Sequence, residues 1–258
     1  MTGGFGPGGW ARIALRGTVV GALVFGGLVV LLILRLFERP LFGMARPITP
    51  YLVQVVCRAA LRAMGIALTV QGRPMAQHGL VVANHASWLD IFALNAAQRV
   101  YFVSKSEVAR WPGIGWLARA TGTLFITRRA TEAKRQQAEF DARLRAGHRL
   151  LFFPEGTSTD GTFILPFKPT LFAALYGPEM GDLWVQPARV IYTAPNGQPA
   201  NFYGWWGDMD FAPHLAETLA AALQGRIDVI LHPPLRVADY AGRKELAAAC
   251  EAAVRCGV

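Results

Sequence analysis

Cysteine is scarce in this 258-residue chain: only Cys57, Cys250 and Cys256 occur, with no C-x-x-C pair and no histidine spaced to complete a ligand set. A disulfide framework and a structural zinc site are thereby set aside, and a reducing compartment is expected. Negative charge is also in short supply, 17 Asp and Glu against 26 Lys and Arg, for a net charge of +9 and a pI near 10.0. An anionic partner is implied, which leaves nucleic acid, an anionic bilayer and phosphorylated substrates open. Repeats are absent, and the one biased run is the Gly-rich tip Gly3–Gly9, part of an N-terminus (1–12) expected to be flexible. What remains is 53% hydrophobic with a mean hydropathy of +0.29. That is too apolar for disorder, and the length suffices for one large domain with its own core.

The apolar residues are concentrated. Gly17–Leu34 carries no charge and, as a helix, spans about 27 Å, close to the hydrocarbon thickness of a bilayer. A membrane anchor is the leading reading, with a cleaved signal peptide and a buried core helix as alternatives. The segment runs into Arg35-Leu-Phe-Glu38-Arg39-Pro40 and not into small residues, which argues against cleavage. Arg12 and Arg16 precede it, whereas Arg35, Arg39, Arg46, Arg58 and Arg62 follow it, so the positive-inside bias places the bulk of the chain in the cytoplasm. A second apolar stretch, Tyr51–Val70, carries Arg58 and Arg62 one turn apart. It reads as a helix at the bilayer interface or, alternatively, one packed on the core. The expected organisation is a membrane-associated segment over 13–72 and a catalytic-type domain over 73–258.

Beyond Gly72 short β-type runs alternate with amphipathic segments. Strands are expected at Leu80–Ala83, Val100–Ser104, Thr123–Thr127, Leu150–Phe153, Val185–Ile191 and Ile227–Leu231, and helices at Ser87–Ala97, Thr131–Ala146, Leu215–Leu223 and Arg243–Cys256. Alternation of this kind indicates an α/β layer fold with a largely buried sheet.

Chemistry-bearing residues gather at the strand ends. Directly after the first strand comes Asn84-His85-Ala86-Ser87-Trp88-Leu89-Asp90. In one continuous helix His85 and Asp90 would point about 140° apart. With a helix starting near Ser87, His85 hangs on the loop and Asp90 folds back from the first turn, so that one imidazole nitrogen is held and the other is free to take a proton. Ser87-x-x-Asp90 also fits a capping box, in which Asp90 serves only the helix terminus. Downstream, Gly122-Thr-Leu-Phe-Ile-Thr-Arg128-Arg129 ends a strand in two cations, and Phe152-Phe-Pro154-Glu155-Gly156-Thr157-Ser158 ends another in a turn with one carboxylate and two hydroxyls. Taken singly these are a solvated charge and a tight turn; together they can grip an anionic or polar acceptor.

In this order, NHASWLD, GTLFITR, FPEGT and the strand Val185-Gln186-Pro187, the motifs resemble the membrane-associated glycerolipid acyltransferases, whose best-known members are the 1-acylglycerol-3-phosphate acyltransferases; the likeness covers His78–Tyr192. The resemblance implies a mixed central sheet flanked by helices and transfer of a fatty acyl group from a thioester, on acyl carrier protein or coenzyme A, to a lysolipid hydroxyl. It implies His85 as general base, Asp90 as its orienting partner, and Arg128, Glu155, Gly156 and Thr157 as acceptor-binding residues. Lys105, one strand earlier, is a further candidate for the same cationic pocket, and backbone N–H groups near the fourth block would stabilise the thioester oxyanion. No metal or other cofactor is expected, and the absence of a G-x-S-x-G elbow or a motif cysteine fits direct transfer without an acyl-enzyme.

One departure bears on the acceptor. Many phosphatidic-acid-forming members continue Glu-Gly-Thr-Arg-Ser where this chain reads Glu155-Gly156-Thr157-Ser158-Thr159-Asp160, although Arg129 or Lys168 can supply the cation. Members that acylate lyso-ornithine lipid, an aminolipid without phosphate, also lack that arginine. The expected acceptor is 1-acylglycerol-3-phosphate, with lyso-ornithine lipid as the alternative. A non-catalytic membrane-binding protein on the same scaffold is the alternative from another class, but it predicts a damaged His–Asp pair. A nucleic-acid binder predicts interleaved cations and aromatics, whereas these cations lie beside the apolar segments and in the long helix after Arg128. The expected location is a bacterial-type inner membrane with the catalytic domain facing the cytoplasm, attracted to anionic lipids. Trp111-Pro-Gly113-Ile-Gly115-Trp suggests an acyl-chain tunnel lined by Gly113 and Gly115, or ordinary helix packing. Phe202-Tyr203-Gly204-Trp205-Trp206 is read as core filling, with the interfacial aromatic belt or a cap over the site as the alternatives.

Overall fold

The computed structural model describes residues 4–127, 130–177 and 182–256. Every residue of Gly79–Ala83 (β2) is buried, as an uninterrupted apolar run requires of a strand covered on both faces. It lies between Leu150–Phe152 (β5) and Trp184–Thr193 (β6), parallel to both. Tyr101–Lys105 (β3) and Leu124–Ile126 (β4) extend the sheet in parallel beyond β5. Arg226–Leu231 (β7) joins β6 antiparallel, Ala67–Gln71 (β1) joins β7 as the edge strand, and the two-residue Leu235–Arg236 (β8) pairs with the start of β6. The order β1-β7-β6-β2-β5-β3-β4 is the mixed α/β architecture the motif order implied. It puts the carboxyl ends of β2, β3, β4, β5 and β6 on one edge, where open α/β sheets collect ligands.

The two-residue side-chain period of β2 separates two cores. Val81 and Ala83 pack with Leu151, Val190 and Val229 against helices Thr49–Met64 (α2), Leu89–Ala97 (α3) and Phe211–Ala220 (α6). Leu80 and Val82 pack with Leu150, Phe152 and Val185 against Ala133–Arg145 (α5) and Arg243–Arg255 (α7). Pro187 sits inside the central strand β6, where a missing N–H is normally costly. It is tolerated because β8 releases β6 at Val185 and β7 takes over at Ala188, so Pro187 occupies the break. Across that break the Gln186 side chain accepts from Met75 N–H and donates to the carbonyls of Arg73 and His232.

Two expected helices have different limits. The stretch Tyr51–Val70 is helical only to Met64; Gly65, at φ +83°, turns its N–H back to the carbonyls of Leu61 and Arg62, and the remainder is β1. Its apolar character continued because an edge strand follows. Cys57, Ala60, Leu61 and Met64 bury one face of α2 in the core, while Arg58 donates to Ala96 O at the end of α3. α6 begins at Phe211, earlier than the apolar run suggests, directly after Asp210.

Pro7–Phe42 (α1) is a single helix of 36 residues, about 54 Å, that begins inside the stretch expected to be flexible. It is the one helix among the described residues long and apolar enough to cross a membrane, and only 6% of its apolar window is buried. That excludes a core helix. Trp10, Leu15, Val29, Leu32, Leu36 and Phe37 face outward. The inner side is docked along its length. Arg12 and Arg16 donate to the carbonyls of Leu219, Ala220 and Ala221 at the end of α6, Gly27 admits the Val56 side chain of α2, and Leu31 is buried. At the far end the buried Glu38 carboxylate accepts from Ile48 N, Thr49 N and Thr49 Oγ1, closing the first turn of α2.

Candidate active site

Strand β2 ends between β5 and β6, and Asn84 prolongs the pairing with its side chain: Oδ1 accepts from Val190 N and Nδ2 donates to Val190 O. The chain then leaves the sheet at His85, and α3 starts four residues later, at Leu89. Asp90, in the first turn, folds back so that Oδ2 stands 2.7 Å from His85 Nδ1. The same oxygen accepts from Ala86 N at 2.9 Å and Ser87 N at 3.1 Å, while Oδ1 accepts from Tyr192 Oη at 2.5 Å. Both sequence readings of Asp90 therefore hold at once: the carboxylate closes the turn and holds the imidazole. Four donors converge on a fully buried acceptor, so Nδ1 carries the proton in the His85–Asp90 bond and Nε2 is the nitrogen able to accept one. Burial, and next the negative charge of Asp90, hold the Tyr192 phenol well above its ordinary pKa, which keeps it a donor.

His85 is further fixed by Phe153, whose ring stacks on the imidazole at 4.0 Å and 10°. Its backbone is tied on both sides: His85 N donates to Glu155 Oε1 at 2.6 Å, His85 O accepts from Thr159 N at 2.9 Å, and Ala86 O accepts from Trp205 N at 2.8 Å. Glu155 Oε2 accepts from Leu165 N at 2.6 Å, so both oxygens of this buried side chain are committed to backbone. Glu155 thus stitches the third block to the His85 loop. Burial raises its pKa against the pull of the two N–H groups.

The remaining expected residues fall as follows. Gly156 adopts φ +73°, and the space a side chain would fill is taken by the Lys168 ammonium. Thr157 is exposed beside it. Lys105 is exposed at the end of β3, in register with Ile126, the last residue of β4. Arg128, which follows β4, lies outside the described residues, as does Arg129. At Gly115 a Cβ would lie 2.2 Å from Ala109 O, so this glycine lets two backbone segments touch, which favours the helix-packing alternative. Gly113, at φ +71°, precedes Ile114–Thr121 (α4) and faces Phe25 of α1. Of the aromatic cluster, Tyr203 is fully buried and packs 5.8 Å from Tyr192, supporting the site from behind. Among the described residues no group of three His, Cys, Asp or Glu side chains is placed to hold a metal ion.

Tyr192 and Phe153 were not singled out in the sequence. Phe153 sat in view inside the third block, but Tyr192 lies 102 residues from Asp90, and only the β2–β6 pairing joins them.

Comparison with known proteins places the chain in a family. Residues 67–190 match the Acyltransferase family model. The lyso-ornithine lipid O-acyltransferase of Rhodobacter capsulatus is 58% identical over 97% of this chain and 91% of its own. That of Brucella abortus is 34% identical over 92% and 91%. The 1-acyl-sn-glycerol-3-phosphate acyltransferase of Neisseria gonorrhoeae is 40% identical over 45% of this chain and 46% of its own. The crystal structure of the 1-acyl-sn-glycerophosphate acyltransferase of Thermotoga maritima superposes with a TM-score of 0.66 over 95% of this chain and 92% of that one, at 19% identity, and shares its fold. On the near full-length identity to these relatives, this chain belongs to the acyltransferase family and is an enzyme that acylates lysolipids.

Proposed function

We propose that this enzyme is a lyso-ornithine lipid O-acyltransferase in which His85 acts as general base. The observation that carries the chemistry is the 2.7 Å His85–Asp90 bond at the carboxyl edge of the sheet, with Nε2 left to work. In this reading the acceptor hydroxyl gives its proton to Nε2 as its oxygen attacks the thioester carbonyl. The new C–O bond forms, the C–S bond breaks, and the imidazolium returns the proton to the departing thiolate. Asp90 stabilises the imidazolium, and Tyr192 and Phe153 hold the pair in position. Acyl carrier protein or coenzyme A presents the thioester.

The acceptor assignment reverses the preference for 1-acylglycerol-3-phosphate that the motifs alone suggested. The lyso-ornithine lipid enzymes match nearly the whole chain, whereas the glycerol-phosphate enzyme matches less than half. The missing arginine of the third block points the same way. Here Lys168, above Gly156, meets the carboxylate of the acceptor headgroup and Asp160, four residues on, its ammonium. Because α1 is docked to the domain along most of its length, it lies in one leaflet with its apolar face down and delivers the site to lipid at the cytoplasmic surface.

The test incubates the detergent-solubilised enzyme with labelled acyl-carrier-protein and acyl-coenzyme-A donors and, separately, lyso-ornithine lipid and lysophosphatidic acid. Turnover of lyso-ornithine lipid, lost in His85→Ala, is the expected result. Turnover of lysophosphatidic acid alone overturns the acceptor, and activity that survives His85→Ala overturns the mechanism.

A further inference from the structure

We propose that a second, non-catalytic site, a cavity of about 350 Å³ lined by Arg35, Arg39, Met44, Arg46, Arg143 and His148, binds the phosphate of an anionic phospholipid headgroup. It lies at the opposite edge of the sheet from His85. Tyr101 and Gly122, which contact its arginines, and His148, which lines it, stand at or just before the starts of β3, β4 and β5, whereas the catalytic pair follows the end of β2. An acceptor held at His85 therefore does not reach it.

The cavity is built around charge that the described residues leave unbalanced. Arg46 donates to Ala120 O at 2.8 Å, Arg143 donates to Gly122 O, and both guanidinium groups lie over the Tyr101 ring, at 5.9 and 5.1 Å. Against four guanidinium groups stand Glu38, engaged by Arg35 and by the first turn of α2, and Glu139 beside Arg143. Burial, and next the charge of Arg35, bring Arg46 down to about 10, and burial, and next Arg143, bring His148 down to about 4. Cations crowded in this way are relieved by an anion.

Among the described residues, two buried polar atoms also lack partners there. His148 Nε2 donates to Met44 O at 2.9 Å, which leaves the Nδ1 lone pair unused, and Arg143 Nε–H is unpaired as well. Buried groups of this kind are normally satisfied. A phosphate drawn in beside them meets the guanidinium groups that line the cavity and offsets the charge crowded around these two atoms. The rim shows where the anion comes from. Leu36, Phe37, Leu41 and Phe42, at the end of α1, are all more than half exposed, so the cavity opens beside the apolar surface that meets the bilayer. A cationic cleft next to an interfacial apolar helix fits a lipid phosphate.

The test measures co-sedimentation of the full-length protein, without acyl donor, with phosphatidylcholine vesicles that do or do not contain phosphatidylglycerol. Arg39→Gln and the double variant Arg35→Gln/Arg39→Gln are compared with Arg243→Gln/Lys244→Gln, which removes the same charge from α7. The double variant at the cavity is expected to lose about tenfold or more of the phosphatidylglycerol-dependent affinity, while the α7 variant retains it. Equal loss in both variants means diffuse attraction and overturns the site. Inorganic phosphate that raises the thermal midpoint as much as phosphatidylglycerol does assigns the cavity to soluble phosphate and overturns the lipid. Arg143→Lys guards against misfolding: it keeps the charge but loses the fork, and is expected to weaken vesicle binding at an unchanged thermal midpoint.

Discussion

Replacement of Asp90 by asparagine isolates the charge of the catalytic pair from its geometry. An asparagine carbonyl can still accept the N–H groups of Ala86 and Ser87, now 2.9 and 3.1 Å from Oδ2, and the Tyr192 hydroxyl can turn to accept from the amide. The turn should therefore persist, and the thermal midpoint should change little. What disappears is the negative charge beside an imidazole that becomes positive only as the acceptor proton moves. Two unit charges about 4 Å apart at an effective dielectric constant of about 20 attract by about 4 kcal/mol. At about 1.4 kcal/mol per decade, Asp90→Asn should lower kcat roughly a thousandfold, with KM for the acceptor nearly unchanged, because the interaction exists only on the way to the transition state. The assay follows thiol release from the acyl thioester together with formation of labelled diacyl product. Combining Asp90→Asn with His85→Ala should add little to the loss of His85→Ala alone, since the two act as a unit. A variant that keeps a tenth or more of wild-type kcat would refute the idea that Asp90 works through its charge.

Tyr192→Phe removes one donor to Asp90 and should cost about 10- to 100-fold in kcat, with a shifted pH–rate profile; a purely structural tyrosine would lower the thermal midpoint and leave the profile alone. Gly115→Ala forces a methyl against Ala109 O and should destabilise the fold by about 1–3 kcal/mol in denaturant unfolding, with no change in acyl-length preference. An altered length preference at unchanged stability would restore the tunnel reading. Lys168→Gln should raise KM for the lysolipid several-fold and leave the donor KM alone, as measured by initial rates. The depressed His148 makes the fold acid-labile: in the unfolded chain the imidazole takes a proton near its ordinary 6.5, whereas in the folded chain, buried and beside Arg143, it does so only near 4. Its contribution is complete above about pH 6.5 and is lost as pH falls toward 4. Thermal midpoints across that window should drop less in His148→Gln than in the wild type.

Much of the sheet was legible because its strands are short apolar runs bounded by turn residues, and β2, β3, β5, β6 and β7 lie within a few residues of where that pattern puts them. β1 was hidden because an edge strand following an amphipathic helix prolongs the same apolar texture, and only the Gly65 cap separates them. At the site, local spacing revealed His85 and Asp90, since both lie within one loop and one helical turn. Glu155 was read as an acceptor contact because the family resemblance assigns the third block to the acceptor headgroup. Its two oxygens instead meet N–H groups from segments 70 and 10 residues away in sequence, which no local pattern encodes.

By itself, then, the sequence determined the α/β class, the apolar N-terminal helix, the excess of positive charge and the four ordered blocks, all of them properties of composition and short-range period. Tertiary structure decided what those residues touch. It laid α1 along the domain through contacts at both of its ends, brought Tyr192 to Asp90, turned Glu155 inward, and gathered four arginines from α1, the following loop and α5 around one cavity. Hydrogen bonds and charge crowding act over a few ångströms, and distances that short between residues far apart in the chain are set only by how the strands are ordered and paired.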